Sequence, residues 1–180
     1  RFGQKPLYYR WDGQTLLFST DQALALKPRY PEARYNLGNA RAAGGEMTSA
    51  LEEYRRAIEL RPAYAEAHVN AGNALLSLGR AAEALEYYQR AVRLEPNRPD
   101  AHFNLASALL ELGRWDEAVP VLESVLRLDS GYLRAERALG FALAKIGRLD
   151  EARTHYTRYL RAEPGDAEAA AEWKEWQGRR

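Results

Sequence analysis

Apolar residues recur along this chain at helical rather than strand spacing, and they come in paired stripes. Leu75 and Leu78 belong to one stripe, and Leu85, Tyr88 and Val92 to the next. Spacings of three and four place such residues on one face of an α-helix. Gly79 stands between the two stripes and Pro96 follows the second, where helix breakers belong. The pattern predicts two amphipathic helices joined by a tight turn. It then repeats. Pro28, Pro62 and Pro96 stand 34 residues apart, Ser130 holds the next mark and Pro164 the one after. Ala50, Ala84, Ala118 and Ala152 keep the same period, as do Gly45, Gly79, Gly113 and Gly147.

Four units align without gaps over 31–166: 31–64, 65–98, 99–132 and 133–166. One helix pair cannot bury both of its faces, so neighbouring pairs must stack. Gly38, Gly72, Ala106 and Gly140 fall mid-helix, where glycine costs up to about 1 kcal/mol against alanine. Their recurrence predicts a close approach to Ala50, Ala84, Ala118 and Ala152 of the second helix, with Tyr54, Tyr88, Leu122 and Tyr156 beside them. Two departures carry expectations of their own. Pro120 should kink the second helix of the third unit. Arg41 and Gly44, where other units carry leucines, should make the first helix of the first unit the least regular.

Both ends depart from the repeat. Residues 167–180 are rich in helix formers and read as a capping helix and tail, with Trp173 expected on Ala152, Tyr156 and Tyr159. Terminal repeats of stacked arrays are generally atypical. Residues 21–30 match the end of a second helix, a partial repeat. Residues 1–20 carry Asp12-Gly13 between LYYRW and QTLLFS, which predicts a β-hairpin.

Composition narrows the function classes. The chain has 180 residues, no cysteine and a net charge of +1. Cysteine chemistry and disulfides are excluded. The charge balance argues for neither nucleic acid nor membrane. No apolar run approaches the roughly 20 residues that span a bilayer, and no signal-peptide pattern is visible. A reducing, cytoplasmic setting is expected. The opening residue is Arg1, as expected of a piece of a longer protein.

The openings PEARYNLGNA, AEAHVNAGNA, PDAHFNLASA and LRAERALGFA, with closings such as ALEEYRRAIELRP and ALEYYQRAVRLEP, resemble the tetratricopeptide repeat (TPR) family. The resemblance implies an all-α, right-handed solenoid of antiparallel helix pairs whose first helices line a concave groove. It also implies a non-catalytic scaffold that binds an extended peptide or a partner protein there. Residues 1–20 resemble a short stretch of the glutamine amidotransferase domain of asparagine synthetases, around R-x-G-x-K-P-L-Y-Y. That family's catalytic cysteine has no counterpart here, so no amidotransferase role carries over. The alternative function is a regulatory or substrate-docking module of a larger enzyme, a glycosyltransferase or an amidotransferase fusion.

Candidate chemistry points the same way. His68 and His102 occupy one repeat position and read as packing residues, as does His155. No metal, cofactor or catalytic site is expected. The carboxylates of Glu52, Glu53, Glu83, Glu86, Asp116 and Glu117 read as complements of helix dipoles. The stronger constellation is a ladder of asparagines. Asn36, Asn70 and Asn104 recur one unit apart, and Asn39 and Asn73 follow one turn later. An asparagine side chain both donates and accepts, so it can hold a peptide backbone without reading its side chains. Similar ladders occur in the repeat regions of protein O-linked N-acetylglucosamine transferases. Tyr35, Val69 and Phe103 should face the groove, with Arg134 and Arg137 making its far end basic. Arg93, Arg127 and Arg161 form an outer stripe without interleaved aromatics, which argues against nucleic acid. Self-association through the array ends is an open alternative.

Overall fold

The computed structural model describes residues 30–178. The hairpin expected at 1–20, the partial repeat preceding residue 30 and the last two residues of the tail lie outside them. Among the described residues the chain is all helical, without a strand. It divides into two compact units, Arg1–Gly79 and Arg80–Arg180.

The described part of the first unit holds three helices: α1 (Pro31–Ala43), α2 (Met47–Leu60) and α3 (Ala65–Ser77). Helix α1 packs on α2, α2 on α3, and α1 also touches α3. The second unit holds α4 (Ala81–Leu94), α5 (Pro99–Glu111), α6 (Trp115–Leu128), α7 (Leu133–Lys145), α8 (Leu149–Ala162) and α9 (Ala167–Gln177). Each of these packs on the next in sequence.

The turns explain why the helices stop where they do. Gly45, Gly79, Gly113 and Gly147 have φ of 81°, 71°, 69° and 82°. Only glycine enters this left-handed region without strain. One residue further on, the amides of Glu46, Arg114 and Arg148 reach back to the carbonyls of Arg41, Leu109 and Leu143 at 2.9 Å. These are Schellman closures, which satisfy carbonyls that the helix end leaves unpaired. Arg80, Arg114 and Arg148 then open the following helices, each with two hydrogen bonds of 2.6–2.7 Å to Glu83, Glu117 and Glu151.

Several expectations are corrected. Gly38 and Gly140 do not chiefly face the small alanines. A Cβ on Gly38 would stand 2.5 Å from Cε1 of Tyr54, and one on Gly140 would stand 2.9 Å from Cδ2 of Tyr156. The glycines make room for a flat ring. In the third repeat Ala106 and Leu122 occupy these two positions, and both are fully buried. Pro120 lies inside α6, in its second turn, and the helix continues past it over the same 14 residues as α2, α4 and α8. Helix α1 keeps the 13 residues of α3, α5 and α7, with Gly44 serving as its C-cap. Glu53 is not a dipole complement near a helix start. It is buried, and its two carboxylate oxygens accept from Arg34 at 2.8 Å and Arg56 at 2.5 Å.

Asp166 caps the start of α9, its carboxylate accepting from the amide of Ala169 at 3.0 Å. Trp173 is buried and stacks on Tyr156, with centroids 5.3 Å apart.

Candidate functional site

In the first unit, all three helices supply polar groups to a shared network: Tyr35 and Asn39 from α1, Tyr54 from α2 and Asn70 from α3. The Tyr54 hydroxyl on α2 donates to Asn39 Oδ1 on α1 at 2.9 Å. Asn70 Nδ2 on α3 donates to the same oxygen at 2.8 Å and to the Tyr35 hydroxyl at 3.2 Å. Burial, helped by the neighbouring Tyr35, pushes the Tyr54 phenol up to about 12. It therefore stays a neutral donor at physiological pH. The Tyr35 ring lies 6.0 Å from Tyr54 and 5.0 Å from Tyr64.

This network borders a cavity of about 290 Å³, lined by Asn39, Tyr54, Asn70, Asn73, Met47 and Ser77, among others. The internal bonds use the carbonyl of Asn39 and the amide nitrogen of Asn70. Among the described residues, no protein group pairs with Asn39 Nδ2 or Asn70 Oδ1. The site therefore offers one amide donor and one amide acceptor. Asn70 holds the repeat position of Asn36, and Asn39 follows Asn36 by one turn. The structure joins Asn70 to Asn39, and Asn36 stays outside the network. Val69 is half-buried beside Asn70.

The second unit carries a different site. A cavity of about 320 Å³ is lined by Phe103, Arg134, Arg137, Ala138, Phe141, Tyr159 and Glu172. Phe103 is buried rather than open to solvent, with the Arg134 guanidinium 4.6 Å above its ring and Tyr132 against it at 5.1 Å. Asn104 is half-buried and does not line this cavity. Arg137 is held by three carboxylates at the start of α9 and along it: Asp166 at 3.3 Å, Glu168 at 3.1 Å and Glu172 at 3.2 Å. Their hydrogen bonds, that of Glu172 above all, and their charges raise its pKa further, so it is a fixed cation. Arg137 is committed within the fold, whereas Arg134 has no carboxylate partner among the described residues.

The histidines serve the fold. His68 Nε2 donates to the Pro62 carbonyl at 3.0 Å, and His102 Nε2 donates to the Pro96 carbonyl at 2.8 Å. His155 Nδ1 lies 2.6 Å from the buried Glu136 carboxylate. Among the described residues, no three His, Asp or Glu side chains form a metal-binding group. No described helix is long and apolar enough to cross a membrane. Sequence reasoning missed Tyr54 and Glu172 as site members. Their position on a second helix and on the capping helix hid them from a ladder built on first helices.

Comparison with known proteins accords with this architecture. No curated protein matches the chain. Among crystal structures, YrrB, described as a TPR protein with an unusual peptide-binding site, is 25% identical with a TM-score of 0.81. That match covers 89% of this chain and 82% of YrrB. MamA is 24% identical with a TM-score of 0.79, over 89% of this chain and 99% of MamA. TTC0263, a thermophilic TPR protein of Thermus thermophilus, is 25% identical with a TM-score of 0.65, over 89% of this chain and 88% of its own. The tetratricopeptide repeat profile matches residues 69–132 and 103–167, and a second TPR profile matches 38–79. With repeats matched over more than half of its length, this chain belongs to the tetratricopeptide repeat family.

Proposed function

We propose that this chain is a non-catalytic interaction scaffold that binds an extended peptide or a partner protein segment, and that the Asn39–Asn70 pair holds its backbone. The observation that carries the reading is the pairing itself. Tyr54 and Asn70 fix the Asn39 side chain from two sides, so the remaining donor on Asn39 and acceptor on Asn70 are held in place before any ligand arrives. A peptide unit presents one carbonyl and one N–H, the complement of that pair. Fixing the side chains in advance lowers the ordering cost of binding. YrrB, similar in fold and 25% identical, is described as having a peptide-binding site, which supports the class of ligand. Tyr35, Asn36, Val69 and Asn73 would flank a ligand in the first unit. Phe103, Asn104 and Arg134 would serve the second, with Arg137 acting through α9. We place the scaffold in the cytoplasm and assign it no nucleic-acid role.

The test begins with a peptide array to find a ligand, followed by titration calorimetry. Asn70→Ala and Asn39→Ala should each weaken binding by about 0.5–1.5 kcal/mol per lost hydrogen bond. N-methylation of the contacted peptide amide should weaken it similarly. Unchanged affinity in both variants would remove the asparagines from the site.

The resemblance of residues 1–20 to an amidotransferase stretch favours a second reading, a docking module of a larger enzyme. Intact-mass analysis of the native protein distinguishes the two. A product continuous with a catalytic domain supports the module, and a product without one supports the free scaffold.

A further inference from the structure

Three aromatic rings in the second unit surround one ammonium. Lys145 Nζ lies 5.6 Å from the Trp115 ring centroid, 5.1 Å from Phe141 and 5.4 Å from Trp176. Trp115 opens α6, Phe141 and Lys145 lie on α7, and Trp176 lies in the last turn of α9. The Trp115 and Phe141 rings meet edge to face, 5.6 Å apart at 80°, so they form two perpendicular walls. All three rings are only partly buried and Lys145 is exposed. No carboxylate lies within ion-pair distance of Lys145 among the described residues, and the three rings are its aromatic partners.

Repeat packing does not require these rings. One unit away and beyond, the position of Trp115 holds Met47, Ala81 and Leu149. That of Phe141 holds Asn39, Asn73 and Ser107, and that of Trp176 holds Ala40, Ala74, Ala108 and Ala142. Three independent positions turn aromatic at one place, around one cation.

We infer that Trp115, Phe141 and Trp176 form a binding site for a quaternary ammonium group, with Lys145 as its resident plug. The group arrives either on a small molecule of the choline type or on a methylated lysine side chain of a protein. Ring faces carry negative potential and attract cations within about 6 Å of the centroid. A primary ammonium such as that of Lys145 is strongly hydrated, and its exposed position keeps water on it. A quaternary ammonium gives up no N–H hydrogen bonds on entering, so it gains more from the same three faces. Phe141 also lines the cavity of about 320 Å³ described above. This site is independent of the amide pair in the first unit, and its test needs no peptide ligand of that pair.

The experiment titrates choline, its neutral isostere 3,3-dimethylbutanol and a trimethyllysine peptide against the protein, read by tryptophan fluorescence. Removing the plug in Lys145→Ala should tighten choline binding by about tenfold, the size of one cation–π contact. Dimethylbutanol should fail to saturate the site. Adding Trp176→Ala or Phe141→Leu to Lys145→Ala should abolish the gain, with helicity by circular dichroism unchanged in at least one of the two. Tighter binding of the peptide than of choline identifies a methylated protein as the source, and equal binding identifies the small cation. Equal binding of choline and dimethylbutanol, or no response of Lys145→Ala to choline and peptide, would overturn the inference.

Discussion

The Tyr54 ring lies so close to Gly38 that a methyl group on Gly38 would stand 2.5 Å from its Cε1. The two residues act as one piece, because the ring also carries the hydroxyl that holds Asn39. Fold and candidate site meet at this contact.

Gly38→Ala should therefore destabilise the first unit. Overpacking a core costs about 1–3 kcal/mol, against a helix-propensity gain of up to about 1 kcal/mol. Gly140→Ala, at 2.9 Å from Tyr156, should cost less. Adding Tyr54→Leu to Gly38→Ala copies the Ala106 and Leu122 combination of the third repeat. The double variant should lose less than the sum of the two single changes, by about 1 kcal/mol or more of coupling. Urea unfolding followed by circular dichroism measures it, and strict additivity would show that ring and glycine do not compete for space.

Glu53→Ala should cost about 2–4 kcal/mol, somewhat below the range for breaking a fully buried pair because Arg34 and Arg56 keep access to water. Glu53→Gln should lose less, since the amide oxygen still accepts one bond. A thermal melt ranks the three proteins, and a Glu53→Ala melt equal to the unchanged protein would count against the buried pair.

Trp173→Ala removes the ring stacked on Tyr156 and should cost about 3–5 kcal/mol. The loss should begin at the end of the second unit. Hydrogen exchange should rise first in α8 and α9, and uniform exchange along the chain would contradict a capping role.

Alkaline pH should loosen the first unit. Burial raises the phenols of Tyr54 and Tyr64 from 10.0 to about 12, so folding favours their neutral form. That contribution is complete below pH 10 and is lost as pH rises toward 12. Tyrosinate absorbance should appear together with loss of helicity in this window. Ionisation at the ordinary phenol pH with the helices intact would refute it.

The repeat register was legible because it depends on single residues with strong local rules. The helix-ending role of Gly45, Gly79, Gly113 and Gly147 follows from backbone sterics alone, and the left-handed φ values bear it out. The partners of Asn70 were not legible. Sequence period sets it level with Asn36, which says nothing of which side chain it touches; in the structure it donates to Asn39. The engagement of Arg137 required knowing where α9 lies. Its three carboxylates follow it by 29 to 35 residues and show no local pattern.

The buried glutamates bear on how the chain chooses its own contacts. In the first repeat a basic residue on the first helix, Arg34, meets Glu53 on the second. In the fourth repeat the order is exchanged, and Glu136 on the first helix meets His155 and Arg158 on the second. Both pairs are separated by 19 positions and occupy the same place in the repeat. Pairing α7 with α2 would bury two carboxylates together, and pairing α1 with α8 would set Arg34 against His155 with no acid between them. Near-identical helices are otherwise easily exchanged, so opposite polarity at the two ends works as an address, telling each helix which neighbour is its own.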